Sequence, residues 1–149
     1  MIRTSMFDFV QTGELGPLRH GLSCATVRDT LGPPPDWSAD QAVDLATIWR
    51  YGDIEFYFTE GALSWIFNDH QDLTDGGETL KIEPWIVSRG LPLGEFECHL
   101  KNAEVDFAID LPQYDSTQTH VICASGARFC FLNETGESKP GLFSWSTQT

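Results

Sequence analysis

Hydrophobic positions along this chain change period twice, and those changes mark out its elements. Around residue 23 the pattern is helical. Ser23 suits an N-cap, Leu22 before it and Val27 form a hydrophobic staple, and Val27 and Leu31 share a face. Gly32 then offers a left-handed cap and Pro33-Pro34-Pro35 forbids continuation, so residues 23–31 predict a short helix. Met6, Phe7 and Val10 predict another within residues 4–14.

From Ile48 the period becomes two. Ile54, Phe56 and Phe58 point one way, and Asp53, Glu55 and Tyr57 the other. Gly52-Asp53 and Glu60-Gly61 read as hairpin turns linking this strand to Ile48-Trp49-Arg50-Tyr51 and to Leu63-Ser64-Trp65-Ile66-Phe67. An acidic loop from Asp69 to Glu78 leads into a strand over 80–87, where Pro84 argues for an edge or a bulge. Together these segments predict an antiparallel meander.

The order then recurs. Arg89-Gly90-Leu91-Pro92 opens a helix reaching about Asn102, with Leu93, Phe96 and Leu100 at helical spacing. Strands follow over 105–110, 120–123, 128–131 and 141–145. Gly61-Ala62-Leu63-Ser64-Trp65 is echoed by Gly141-Leu142-Phe143-Ser144-Trp145, Phe56/Phe58 by Phe129/Phe131, and Gly21-Leu22 by Gly90-Leu91. The expectation is an α+β fold in one domain over 1–149, its short helices packed on one face of an antiparallel sheet. Two tandem units are expected, at 15–84 and 85–149, with Phe56, Phe58, Phe129 and Phe131 in the core.

Composition narrows the partner. With 41% hydrophobic residues, five Trp and ten Phe, the chain can bury a core and is not expected to be disordered. Its net charge of −13, from 9 Lys plus Arg against 22 Asp plus Glu, disfavours nucleic acid and anionic membrane surfaces and favours a basic partner. No apolar run approaches the roughly 20 residues of a spanning helix. Asp8 falls where a secretory signal needs apolar residues, so the expected compartment is the cytoplasm. Cys24, Cys98, Cys123 and Cys130 lack CxxC spacing and read as free thiols, with a Cys123–Cys130 disulfide as the alternative.

Catalytic signatures are missing: there is no GxSxG, HExxH, Walker loop or GxGxxG. Ser125 reads as a turn serine, and His20, His70, His99 and His120 show no paired ligand spacing. Asp69, Asp72, Asp75 and Glu78 surround a glycine turn, as calcium ligands do, but their spacing is not that of an EF-hand and fits an ordinary turn. Neither a metal site nor a cofactor is expected.

The segments Gly21-Leu22-Ser23, Val27, Leu31-Gly32-Pro33, Trp49-Arg50-Tyr51-Gly52, Phe56-Tyr57-Phe58 and Gly61-Ala62-Leu63 resemble a known small module. It is the helix–strand unit shared by small outer-membrane assembly lipoproteins and the tandem-repeat β-lactamase inhibitor proteins. The likeness covers roughly residues 20–67; a looser second copy at 85–146 lacks the Leu-Gly-Pro helix stop. It implies helices on one face of an antiparallel sheet and a role in binding proteins.

Strand alternation nominates the outward face. Asp53, Glu55 and Tyr57 lie opposite the buried positions, as do Asp106 and Asp110 opposite Phe107 and Ile109, and Glu83 and Trp85 opposite Ile82 and Ile86; Tyr51 joins them if its strand pairs in simple register. Aromatics supply contact area and acids steer a cationic partner. The expected function is therefore a non-enzymatic inhibitor or immunity protein that neutralises a basic toxin or enzyme. The alternative is a small-molecule-binding domain or small enzyme with a site between helices and sheet.

Overall fold

Register decides which face each strand buries. The computed structural model describes residues 1–38, 42–113, 117–133 and 140–147. Eight strands form one antiparallel sheet: β2 (Asp36–Trp37), β3 (Ile48–Tyr51), β4 (Ile54–Thr59), β5 (Ala62–Asn68), β7 (Phe107–Asp110), β8 (Gln118–Cys123), β9 (Arg128–Leu132) and β10 (Gly141–Ser146). Their order is β2-β3-β4-β5-β10-β9-β8-β7, two four-stranded meanders joined side by side through β5 and β10.

Helices α1 (Met6–Thr12), α2 (Cys24–Leu31) and α3 (Leu93–Asn102) cover one face. Met6, Phe9 and Val10 from α1, Val27 and Leu31 from α2, and Phe96 and Leu100 from α3 share one buried cluster with Trp49, Phe56, Phe58, Phe129, Phe131 and Trp145 of the sheet. The fold is mixed α+β, mostly β, as the periodicity predicts.

The helix stops act locally. Ser23 Oγ accepts from the Thr26 amide and Ser5 Oγ from that of Asp8, each capping a helix N-terminus. Gly32 ends α2 with φ +82° but ψ 176°, a positive-φ conformation open to glycine that is not the left-handed helical cap.

The Gly-Leu dipeptides before α2 and α3 each clasp the sheet in the same way. Gly21 N–H donates to Leu63 O (2.8 Å) and Leu63 N–H to Leu22 O (2.7 Å). Gly90 N–H donates to Leu142 O (2.8 Å) and Leu142 N–H to Leu91 O (2.9 Å). At the second clasp the backbones approach so closely that a Cβ on Gly141, whose φ is +108°, would collide with the Gly90 carbonyl.

Several sequence expectations are corrected. The strand expected over 80–87 is only β6 (Leu80–Glu83), and it pairs in parallel with β1 (Ile2–Ser5) as a separate two-stranded sheet. Pro84 follows it, and Trp85 adopts φ +56°, so Glu83 and Trp85 do not share a face of the large sheet. Tyr51 is buried: the two-residue turn Gly52-Asp53 pairs it with Ile54, on the core face. Ile109 is 44% exposed because β7 is the terminal strand of the sheet. A Cys123–Cys130 disulfide does not form; none of the four cysteines is disulfide-bonded, Cys123 lying buried among the core residues and Cys130 lining the face away from the helices.

Candidate functional site

Among the described residues no helix covers the face away from α1, α2 and α3, and two β-bulges determine what it presents. Between β4 and β5 the pairing passes from Tyr57↔Trp65 to Phe58↔Leu63, leaving Ser64 as the extra residue. Ser64 Oγ donates to Tyr57 O (3.1 Å) and accepts from Thr59 Oγ1 (2.9 Å), which holds the bulge in place. Leu63 and Ile66 therefore face the core, while Trp65 and Phe67 turn outward. In β10 the pairing passes from Leu142↔Phe131 to Ser144↔Cys130, so Phe143 is the extra residue and Trp145 returns to the core.

Three outward rings make a ledge. Trp65 and Phe67 stack at 4.6 Å with an 18° interplanar angle, and Tyr57 lies 4.9 Å from Trp65. The ledge borders a groove of about 430 Å³ that crosses β10 to β9 and β8. On its far side Arg128 Nη1 stands 2.8 Å from His120 Nδ1, and His120 Nε2 3.0 Å from Gln118 Oε1. A guanidinium can only donate, so Nδ1 accepts and Nε2 carries the ring proton, donating it to Gln118. His120 is thus a neutral imidazole fixed between two neighbours. Cys130 and Phe143 also line the groove.

Carboxylates lie around these rings. Glu55 pairs in register with Phe67 and accepts the Tyr57 hydroxyl proton at Oε2 (3.0 Å). Burial first, then the bond to Glu55, pushes the Tyr57 phenol up to about 12, so it remains a donor at neutral pH. The loop after β5 returns His70 to Glu55, with Nε2 3.4 Å from Glu55 Oε1 and 3.7 Å from Asp69 Oδ1. Asp110 on β7 pairs with His120.

The structure brings Glu55, Tyr57 and Asp110 of the expected set onto this face. Asp53 sits in the adjoining hairpin turn, where Oδ2 accepts from the Asp72 amide (3.0 Å) and Oδ1 pairs with Arg50 (3.3 Å). Asp106 is exposed just before β7. Tyr51 donates to Gly32 O (2.8 Å) inside the core. Glu83 is spent on the Trp85 amide (3.1 Å), and Trp85 packs edge-on against Phe7 (5.3 Å) beside α3. Tyr51 and Trp85 thus lie on the helix side, and Glu83 is exposed on the small β1–β6 sheet.

Trp65, Phe67, Phe143, His120 and Arg128 are absent from the expected set. The aromatic content of Leu63-Ser64-Trp65-Ile66-Phe67 was the available signal, but the bulge hides its parity. In the acidic loop, Asp72 Oδ1 accepts from Thr74 N–H and Asp75 Oδ1 from Gly77 N–H, so these two carboxylates close turns. Ser125 donates to Val10 O (2.8 Å), as a turn serine tying β8–β9 to α1.

A second cleft of about 370 Å³ lies between the start of α3 and the ends of β9 and β10. Its described lining, Gly90, Pro92, Leu93, Phe131, Leu132 and Asn133 among others, holds no titratable group. No helix among the described residues is long and apolar enough to cross a membrane.

Comparison with known proteins returns no match: no family model, no curated protein and no solved structure is similar to this chain.

Proposed function

We propose that the uncovered sheet face binds a basic protein and that the chain acts as an inhibitor or immunity protein, neutralising a toxin or enzyme by occupying it. The supporting observation is the ledge Tyr57–Trp65–Phe67 beside a groove that carries Arg128. Trp, Tyr and Arg are the residue types that dominate binding energy when a partner excludes water from them. Partly exposed aromatics gathered on one face of a sheet, while the helices cover the other, suit a surface that is buried on association.

Charge gives the partner its sign. A chain of net charge −13 attracts cationic proteins over distance, and Glu55, Asp69 and Asp110 bring that charge to the edges of the ledge and groove. Such a protein acts where its target is made or arrives, and cysteines without disulfides fit a cytoplasmic setting.

The test is affinity capture at low salt from a native lysate, repeated with Trp65→Ala and Phe67→Ala. A basic protein retained by the parent chain and lost from both variants supports the reading. Recovery of no protein partner, or equal retention by folded variants, overturns it.

A further inference from the structure

We propose that Glu55, Asp69 and His70 form a binding site for a divalent transition cation of the Zn²⁺ class. This goes beyond the protein-binding reading and does not depend on it. The three ligand atoms, Glu55 Oε1, Asp69 Oδ1 and His70 Nε2, all lie within 4.8 Å of one another.

The spacing is the first argument. Charge-assisted hydrogen bonds between nitrogen and carboxylate close to about 2.7–2.9 Å. Here His70 Nε2 stays 3.4 Å from Glu55 and 3.7 Å from Asp69. A tetrahedral ion with bonds of about 2.1 Å holds its ligand atoms about 3.4 Å apart, close to both separations. Two carboxylates and one imidazole also supply net charge −2 and a donor set that Zn²⁺ accepts, and three protein ligands leave a coordination position for water.

The second argument is how the ligands are held. Tyr57 donates to Oε2 of Glu55, leaving Oε1 to face the histidine. Asn68 Oδ1 accepts from the His70 backbone amide (2.9 Å), and its Nδ2 donates to Asp72 O (3.0 Å), closing the loop. Arg89 Nη1 donates to the carbonyls of Asp69 (3.2 Å) and His70 (3.1 Å), fixing the backbone of both loop ligands. Partners of this kind orient ligands, and their removal weakens metal binding about 10- to 100-fold.

The experiment is calorimetric titration of the full chain with Zn²⁺, alongside Co²⁺ titration followed by visible absorption. One ion per chain is expected, with a Co²⁺ spectrum free of thiolate charge-transfer bands. His70→Ala and Glu55→Gln should each weaken binding at least tenfold, and Tyr57→Phe about tenfold. Circular dichroism confirms that each variant is folded, and Glu83→Gln, a carboxylate on β6, should leave affinity unchanged. Failure to saturate at millimolar metal overturns the proposal. So does a thiolate-bound Co²⁺ spectrum, or affinity retained by folded His70→Ala.

Discussion

The hydroxyl of Tyr57 donates to Glu55 Oε2 at 3.0 Å, joining an aromatic of the ledge to the nearest carboxylate on the same strand. The pair fixes a tyrosine in its protonated form on a partly exposed surface, which has consequences at alkaline pH.

Tyr51 and Tyr57 are both pushed up to about 12 from 10.0, chiefly by burial, and burial raises Cys123 to about 12 from 9.0. On unfolding these groups lose their protons near the ordinary values. Above those values the unfolded chain holds fewer protons, so the stability they contribute is fully present below about pH 9 and is lost as pH rises toward 12. Urea midpoints measured from about pH 8 to about pH 12 should fall steadily, and Tyr57→Phe should make the fall shallower.

Trp145 and Trp65 end the same Gly-x-x-Ser-Trp string yet stand on opposite faces. Trp145 is 1% exposed and its indole N–H donates to Leu73 O (2.7 Å). Trp145→Ala should cost about 3–5 kcal/mol, as should Phe56→Ala and Phe129→Ala. Trp65→Ala should cost under about 1 kcal/mol in the free protein, since its ring is partly exposed. Denaturant melts of the variants separate the two faces.

The same parity governs binding kinetics. With an isolated partner, Trp65→Ala and Phe67→Ala should mainly speed dissociation, by about 2 kcal/mol for a true anchor. Glu55→Gln and Asp110→Asn should mainly slow association, an effect that fades above about 0.15 M salt, where the screening length is about 8 Å. Stopped-flow measurements at two salt concentrations distinguish these classes.

Gly61 and Gly141 both have positive φ, but only Gly141 meets another backbone. Gly61→Ala adds a Cβ with nothing within 4 Å, so it should cost only the left-handed strain of about 1–3 kcal/mol. Gly141→Ala should cost more, because the Gly90 carbonyl must move. Thermal melts of the two variants check the order.

Much of the fold was legible because its helices carry their own stops and β4 alternates cleanly. Ile54, Phe56 and Phe58 face the core as expected. Tyr51 could have been placed the same way, since a two-residue turn pairs its flanking residues on one face. The outward aromatics were not legible: the bulges at Ser64 and Phe143 each reset the parity, and neither has a sequence marker beyond a nearby glycine. The meeting of His70 with Glu55 depends on how a loop closes, which periodicity does not encode. Trp85 was misplaced because β6 pairs with β1, a parallel partner at the far end of the chain.

Among the described residues β5 and β10 pair at two positions, Trp145↔Asn68 and Ser146↔Phe67, with Thr147 adding one amide and one hydroxyl bond to Ile66. Within the sheet each meander is otherwise wired to itself, like a page stitched along a short spine, while the Trp145–Leu73 bond and the common core tie the halves beneath it. The groove lies across that spine, so its two walls belong to different meanders. The width of the groove is therefore set by how the two halves seat against each other on their shared core, and not by the pairing inside either half.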